Sequence, residues 1–351
     1  MNSLLVTSTD AGTGKTAVTL ALARLAADRG ATVGYMKPKG TRLQSSVGKT
    51  LDVDPMLARE LLDLDAEMHE LEPVVYSPTF ISGAIRGQED TAALRERVHE
   101  AYAGLAEGTE MMVLEGAGDP ATGAVVDLTD ADLAELLDAR AVLVTRYEEP
   151  GDVDQVLAAV DNLGDRCLGV IFNAVSSAAY DEVETDVVPF LESRDVPVLG
   201  LLPWERSMAG VTVADLTTEL GADSLTDTGT DALVERVLVG AMSGESALSH
   251  FRRTKDAAVI TGGDRADVQA AALDAPGVNC LVLTGGHRPS GAILGEAAAQ
   301  DMPVLTVQTD TITTIERIES LIHGGRVRNE ATVERMQELL HAHADVDALL
   351  D

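Results

Sequence analysis

The sequence predicts an α/β protein: an open parallel sheet with helices on both faces, built around a phosphate-binding loop, and a smaller α/β domain after it. Three observations carry this. Short apolar runs alternate with helix-patterned segments from the first residue onward. Those runs show almost no polar–apolar alternation, as expected of parallel strands buried on both faces. The first run, Leu4–Thr7, leads through a glycine-containing loop into Gly14-Lys15-Thr16 and directly into a helical pattern.

Taken in order, the strands expected in the first two-thirds are Leu4–Thr7, Thr32–Met36, Met111–Leu114, Ala141–Val144, Leu168–Phe172 and Val198–Leu201. Helical periodicity fills the intervals at Ala17–Asp28, Pro55–Leu64, Ala92–Leu105, Val153–Leu163 and Ala179–Ser193. Ligands of such a layer bind beyond the carboxyl ends of the strands. Around Gly221–Asp231 the chain turns small and polar, which divides it into domains 1–220 and 221–351. In the second, strands at Ala257–Ile260, Cys280–Leu283 and Val304–Val307 are followed by helices near Asp267–Leu273, Ala292–Ala299 and Thr313–Ile322. One long helix over 329–349 is expected to close the chain.

The loop Thr9-Asp10-Ala11-Gly12-Thr13-Gly14-Lys15-Thr16 has the layout of a phosphate-binding loop, but the usual G-x-x-x-x-G-K-[ST] pattern is not met, because Thr9 occupies the first glycine position. Backbone N–H groups ring the phosphates, Lys15 reaches the β/γ oxygens, and the Thr16 hydroxyl joins the magnesium shell. The helix that opens there adds its positive end. A second Gly48-Lys49-Thr50 follows no strand and reads as loop.

The 351 residues include 58 acidic and 26 basic side chains, a net charge of -32 spread along the whole length. That balance repels nucleic acid and anionic membrane surfaces, so neither is an expected partner. It suits a salt-rich cytoplasm, where the Debye length of about 3 Å at 1 M salt screens self-repulsion. The thermal midpoint is therefore expected to rise with KCl concentration, and a midpoint independent of salt counts against this halophilic reading. No run reaches the roughly 18 apolar residues of a membrane span, the N-terminus reads as a strand, and a soluble cytoplasmic protein is expected. Cys167 and Cys280 have no C-x-x-C partner and read as buried small hydrophobes of a reducing compartment. The seven histidines lack ligand spacing.

Only five lysines occur, and three of them (15, 37 and 39) fall in the two segments expected to form the cleft, by design or by chance. At the end of the second strand, Lys37 faces the phosphate loop and can neutralise γ-phosphate charge, unless it is simply a solvated loop lysine. Glu115 leaves the third strand into Gly116-Ala117-Gly118, where it suits a magnesium ion or merely begins a turn. Asp52 and Asp54 precede a helix; either can cap it, or Asp54 can supply a second carboxylate to the metal. Asn173 ends the fifth strand, where its amide can pair with adenine or form a turn.

Thr7–Thr16, Gly34–Pro38, Glu115–Gly118, Gly169–Asn173 and Leu199–Trp204 resemble the motifs of the dethiobiotin synthetase family, in the same order. That resemblance implies ATP and Mg2+ as cofactors, held by Lys15, Thr16, Lys37, Asp54 and Glu115, with Lys15 and Lys37 catalytic and Asn173 on adenine. Two departures stand out: Ser8 replaces a usual glycine, and Lys39-Gly40-Thr41-Arg42 does not match the loop that cradles the family's diamine substrate.

Val239–Met242, Ile260–Asp267, Leu283–Ser290 and Asp310–Thr314 resemble a DRTGG domain. The turns at Gly262-Gly263-Asp264-Arg265 and Gly285-Gly286, with Arg288 nearby, are expected to end adjacent parallel strands and leave free N–H groups for a small anion. A dimerisation module is the alternative. Both domains together resemble the N-terminal part of long phosphotransacetylases. With every segment assigned, no room for an acetyltransferase domain is expected, nor acetyl transfer by this chain alone.

Three functions follow from the resemblance. The first is an Mg-ATP-binding regulatory or sensor protein that signals to a metabolic acyltransferase or other partner. The second is an ATP-dependent amide- or carbamate-forming ligase of the dethiobiotin or cobyrinate-amidation type. The third, a partitioning ATPase of the MinD type, fits less well, because Asp10 and Glu115 stand where that type carries a lysine and an aspartate. Homodimers are common among the related families and are expected here.

Overall fold

The computed structural model describes all residues except 42, 47–48, 206–207, 209–210, 227 and 324–329, together with the side chains of 43–46, 49–51, 320 and 323. The expected Arg42, the Gly48 of the second Gly-Lys-Thr, and residue 329 lie outside the described residues.

The chain forms two compact units, Met1–Glu205 with Arg326–Asp351, and Arg206–Gly325. The first is built on strands β1 (Asn2–Ser8), β2 (Val33–Met36), β3 (Met111–Glu115), β4 (Arg140–Thr145), β5 (Cys167–Val175) and β6 (Val198–Pro203), all parallel, in the order β6-β5-β4-β1-β3-β2. The apolar runs predict it because each of these strands is flanked by covering helices. Residues Leu4–Ser8, Met111–Glu115 and Ala141–Thr145 are all buried. From β1 the chain steps to β2 and β3 on one side, then crosses back to β4, β5 and β6 on the other. Right-handed crossovers in opposite directions put helices on opposite faces and open a crevice beside β1.

Register places the chemistry. Val6 pairs with Glu115 and Met36 with Leu114, so Ser8, Lys37 and Glu115 converge at one sheet edge. Helix α1 (Lys15–Asp28) follows β1, and α2 (Val53–Leu61) follows β2 after a hairpin of Leu43–Ser46 against Lys49–Asp52. Lys49 and Thr50 were expected in a loop; they lie in a strand instead, because they pair with Ser46 and Ser45. The stretch expected as one helix over 179–193 contains a π-helical segment, Val183–Val187, between Tyr180–Glu182 and Val188–Glu192. Pro189 supplies the reason, since it cannot donate the backbone bond that a regular helix needs there.

The closing helix is two helices, Glu330–His343 and Val346–Leu350, broken at Ala344–Asp345, where Asp345 N–H donates to Leu199 O (2.7 Å). Chain order groups them with the second domain, but they pack on the first unit. Gln337 Nε2 donates to Asp28 Oδ2 (3.1 Å) and Arg24 pairs with Glu330 (3.0 Å).

The second unit carries β7 (Asp223–Ser224), β8 (Arg236–Val239), β9 (Ala257–Gly262), β10 (Val278–Thr284) and β11 (Val304–Thr306), ordered β7-β11-β10-β9-β8. Four are parallel, and β7 is an antiparallel edge. Among the described residues no helix is long and apolar enough to cross a membrane.

Candidate functional site

Between β1 and α1 the backbone turns through Gly12 (φ 78°) and Gly14 (φ 92°), both left-handed. Gly14 is doubly constrained, because a Cβ there would lie 2.2 Å from Asn173 Nδ2. That amide donates to Thr13 O (2.7 Å), so Asn173 holds the loop from behind. Next to it Ala174 takes φ 57°, alone among the left-handed non-glycine residues described in not being aspartate. An alanine gains nothing locally from that conformation, at a cost of about 1–2 kcal/mol, so the packing around Asn173 must dictate it.

Lys15 Nζ donates to Ser8 Oγ (3.1 Å) and Gly118 O (3.0 Å). The serine that departs from the family pattern is thus a partner of the loop lysine. Thr16 Oγ1 donates to Glu115 Oε1 (2.7 Å). Thr13 Oγ1 is buried and has no partner among the described residues, which fits a loop shaped for a ligand oxygen. Thr9 pairs with Thr145 (2.9 Å), and Asp10 Oδ1 accepts from Ala11 N–H (2.6 Å).

Lys37, 2 % exposed, lies among three carboxylates: Asp54, to which it is hydrogen-bonded, Asp52 at 3.0 Å and Glu115 at 3.6 Å. The rival roles of the two aspartates divide between them. Asp52 caps α2 by accepting from Asp54 N–H (2.9 Å), and Asp54 faces Lys37. Burial alone lowers the Lys37 pKa, but Glu115, Asp54 and Asp52 outweigh it and hold the ammonium charged. Burial, and Asp54 after it, raises the Glu115 carboxyl despite both lysines.

Sequence reasoning missed Tyr35. Its hydroxyl donates to Glu115 Oε2 (2.9 Å), and burial followed by the Glu115 charge raises its pKa, which keeps it a donor. A tyrosine two residues before Lys37 was the available signal, since side chains two apart in a strand share a face.

A cavity of about 260 Å³ is lined by Asp10–Thr13, Lys15, Thr16, Lys37, Asp54 and Glu115, among others. Thr9, Gly14 and Asn173 are not among its lining residues. Just below the ~300–1,000 Å³ typical of small-molecule sites, it is sized for a phosphate group and an ion. Among the described residues no cluster of three or more His, Cys, Asp and Glu side chains is arranged to hold a metal. The expected set, Thr16, Asp54 and Glu115, is a hydroxyl and two carboxylates, which fits magnesium's habit of taking its other ligands from phosphate and water.

Lys39 does not line this cavity. It is fully buried, pairs with Asp130 (3.1 Å) and donates to Thr122 O and Leu128 O, a structural role that the lysine clustering obscures.

Glu72 is 4 % exposed; its Oε2 accepts from Asp52 N–H (2.9 Å) and its Oε1 has no partner among the described residues. Burial pushes this carboxyl up to about 7. A folded pKa above the unfolded one means the unfolded chain loses its proton first, so this group lowers stability as pH rises from about 4.5 to about 7. Glu72→Gln is therefore expected to exceed the wild type by about 1–2 kcal/mol at pH ~8.5, after solvent screening, and by little at pH ~4.5. Urea unfolding at both pH values checks this, and a gap independent of pH counts against it.

In the second unit, the expected parallel pair of strands ending in Thr-Gly-Gly is present, as β9 and β10. Three of the glycine N–H groups expected to be free are engaged instead. Gly263 N–H donates to Thr284 O (3.5 Å), Gly285 N–H to Thr309 O (3.1 Å) and Gly286 N–H to Val307 O (2.9 Å). Arg265 is tied to Met242 O (2.7 Å) and Asp267 (3.4 Å), while Asp264 and Arg288 are exposed. The turns close on the neighbouring backbone, so the cradle expected from Gly262 onward has lost these donors.

Residues 2–212 match the AAA domain family and residues 215–321 the DRTGG domain. The chain is 25% identical over 367 residues to the phosphate acetyltransferase of Pseudomonas putida, covering 98% of this chain and 51% of that protein. It is 30% identical over 210 residues to the ATP-dependent dethiobiotin synthetase of Methanococcus vannielii, covering 57% of this chain and 92% of that one. The MinD cell division protein of Aquifex aeolicus aligns at a TM-score of 0.38 and 14% identity over 59% of this chain and 84% of its own. The chain spans about half the length of the phosphate acetyltransferases it matches over its whole extent.

Proposed function

We propose, from the premise that this chain belongs to the AAA domain family as a dethiobiotin synthetase-like P-loop protein followed by a DRTGG domain, that it binds Mg-ATP and serves as a regulatory sensor. One observation carries this: Lys15, Thr16, Lys37, Asp54 and Glu115 converge on a single cavity of about 260 Å³. Backbone N–H groups of 10–14 and the start of α1 bind the phosphates, and Lys15 exchanges its Ser8 and Gly118 partners for phosphate oxygens. Thr16, Asp54 and Glu115 would hold Mg2+, which supplies charge neutralisation at the β- and γ-phosphates. Tyr35 orients Glu115, and Asn173 keeps the loop in place beside the adenine. The bound state is then read by a protein partner, a metabolic acyltransferase, from a homodimer in the cytoplasm.

The two-lysine, two-carboxylate set also favours a second reading, an ATP-dependent ligase. A carboxylate or carbamate oxygen of the substrate attacks the γ-phosphorus and ADP leaves. A substrate nitrogen then displaces phosphate from the mixed anhydride. Incubation with Mg-ATP and a metabolite extract separates the two. Binding with only trace hydrolysis supports the sensor, and ADP with a stoichiometric new product supports the ligase. Failure to bind ATP sinks both.

A further inference from the structure

We propose that Lys37 makes this cleft refuse a bare divalent cation and admit one only together with a polyphosphate. The inference rests on the Mg-ATP reading and adds to it a rule of ligand selection. Two of the three carboxylates around Lys37, those of Asp54 and Glu115, are the ones that would ligate the metal. The ammonium is therefore their resident counter-ion, and a divalent ion must take the same oxygens from it. Glu115 is held in place as well: its Oε1 accepts from Thr16 and its Oε2 from Tyr35.

Lys37 cannot retreat into water, because its side chain is 2 % exposed. If it stays, an ion of two positive charges is forced beside a buried positive charge. If it gives them up, the buried ammonium keeps Asp52 alone of its three anions, and thinning the counter-charge around a buried ion is unfavourable. A phosphate seated on the P-loop resolves this. Lys37 and loop residues Gly12, Thr13 and Lys15 line the same cavity, so the phosphate offers the ammonium a new anion within reach.

Asp52 supplies the pivot. Its carboxylate is fixed by Asp54 N–H (2.9 Å) and Thr41 N–H (2.9 Å), so it stays with Lys37 while Asp54 and Glu115 turn to the metal. Metal and nucleotide then bind with positive coupling, which by linkage acts equally in both directions.

The test uses the full chain at fixed KCl, with Mn2+ as the probe and free Mn2+ read by electron paramagnetic resonance. Without nucleotide, the wild type binds Mn2+ weakly, Lys37→Gln binds it at least about tenfold more tightly, and Lys37→Arg behaves as the wild type. Equal Mn2+ affinity of wild type and Lys37→Gln overturns the proposal. Micromolar binding of bare Mn2+ by the wild type overturns it too, even if the glutamine variant fails to fold. Calorimetry with ATP in EDTA and with Mn-ATP, on the wild type, keeps the two readings apart. Binding of Mn-ATP without any gain in Lys37→Gln defeats the Lys37 rule and leaves nucleotide binding intact. Binding of neither form defeats both.

Discussion

Lys15→Ala is expected to abolish measurable nucleotide binding while leaving the fold in place. The lysine lies at the mouth of α1 in the cavity, 9 % exposed, so its charge acts on a phosphate with little screening. Truncating one member of a desolvated, hydrogen-bonded charge pair costs about 2–5 kcal/mol, which is roughly 30-fold or more in affinity. The folded chain tolerates the loss better, because Ser8 Oγ keeps Asp10 O (3.0 Å) and Gly118 O (3.1 Å) as acceptors. Thermal shift reads both effects at once. Excess ATP at 100 times its dissociation constant adds about 2.7 kcal/mol to a protein that binds it and nothing to one that does not. A Lys15→Ala variant that melts normally yet is still stabilised by Mg-ATP removes the P-loop from the proposed function.

The strands were legible because burial on both faces leaves only apolar residues, and the first loop because phosphate chemistry restricts its residue types. Lys15, Thr16, Lys37, Asp54 and Glu115, read separately from strand ends, meet in one cavity because parallel register aligns those ends. Other features depend on partners distant in sequence. Nothing near Lys39 announces Asp130, 91 residues on, so a structural lysine read as a cleft lysine. Nothing near the second Thr-Gly-Gly shows that Val307 and Thr309 supply the carbonyls that close it. Helix Glu330–His343 follows the second unit in the chain and packs on the first, because its contacts with Asp28 and Arg24 reach across some 300 residues.

The second large effect is expected at the pair Lys39–Asp130, neither of which lines the cavity. Both side chains are fully buried. The three ammonium protons have three acceptors, Asp130 Oδ1, Thr122 O and Leu128 O, and Asp130 Oδ2 accepts from Thr7 (2.5 Å). Lys39→Met leaves Asp130 charged without its cation and two carbonyls without their donor. Breaking a buried pair from one side costs about 3–5 kcal/mol, roughly a fifth or more of the stability of an ordinary domain. Lys39→Met with Asp130→Leu removes both charges, so its cost should fall well below the sum of the single changes, with the two orphaned carbonyls as the remainder. Urea at fixed KCl is the suitable denaturant, since a denaturing salt changes the screening of a chain of net charge -32. Additive losses mean that the pair is not energetically coupled. The pair also reaches the cleft through backbone. A Cβ on Gly116 would lie 2.2 Å from Asp130 Oδ2, so the aspartate presses on the turn that follows Glu115 and carries the Gly118 carbonyl bound by Lys15. Asp130→Asn, which keeps the shape and removes the charge, should therefore weaken ATP binding by several-fold in molecules that remain folded, although its side chain lies outside the cavity. Unchanged ATP affinity in that variant confines the pair to a role in stability.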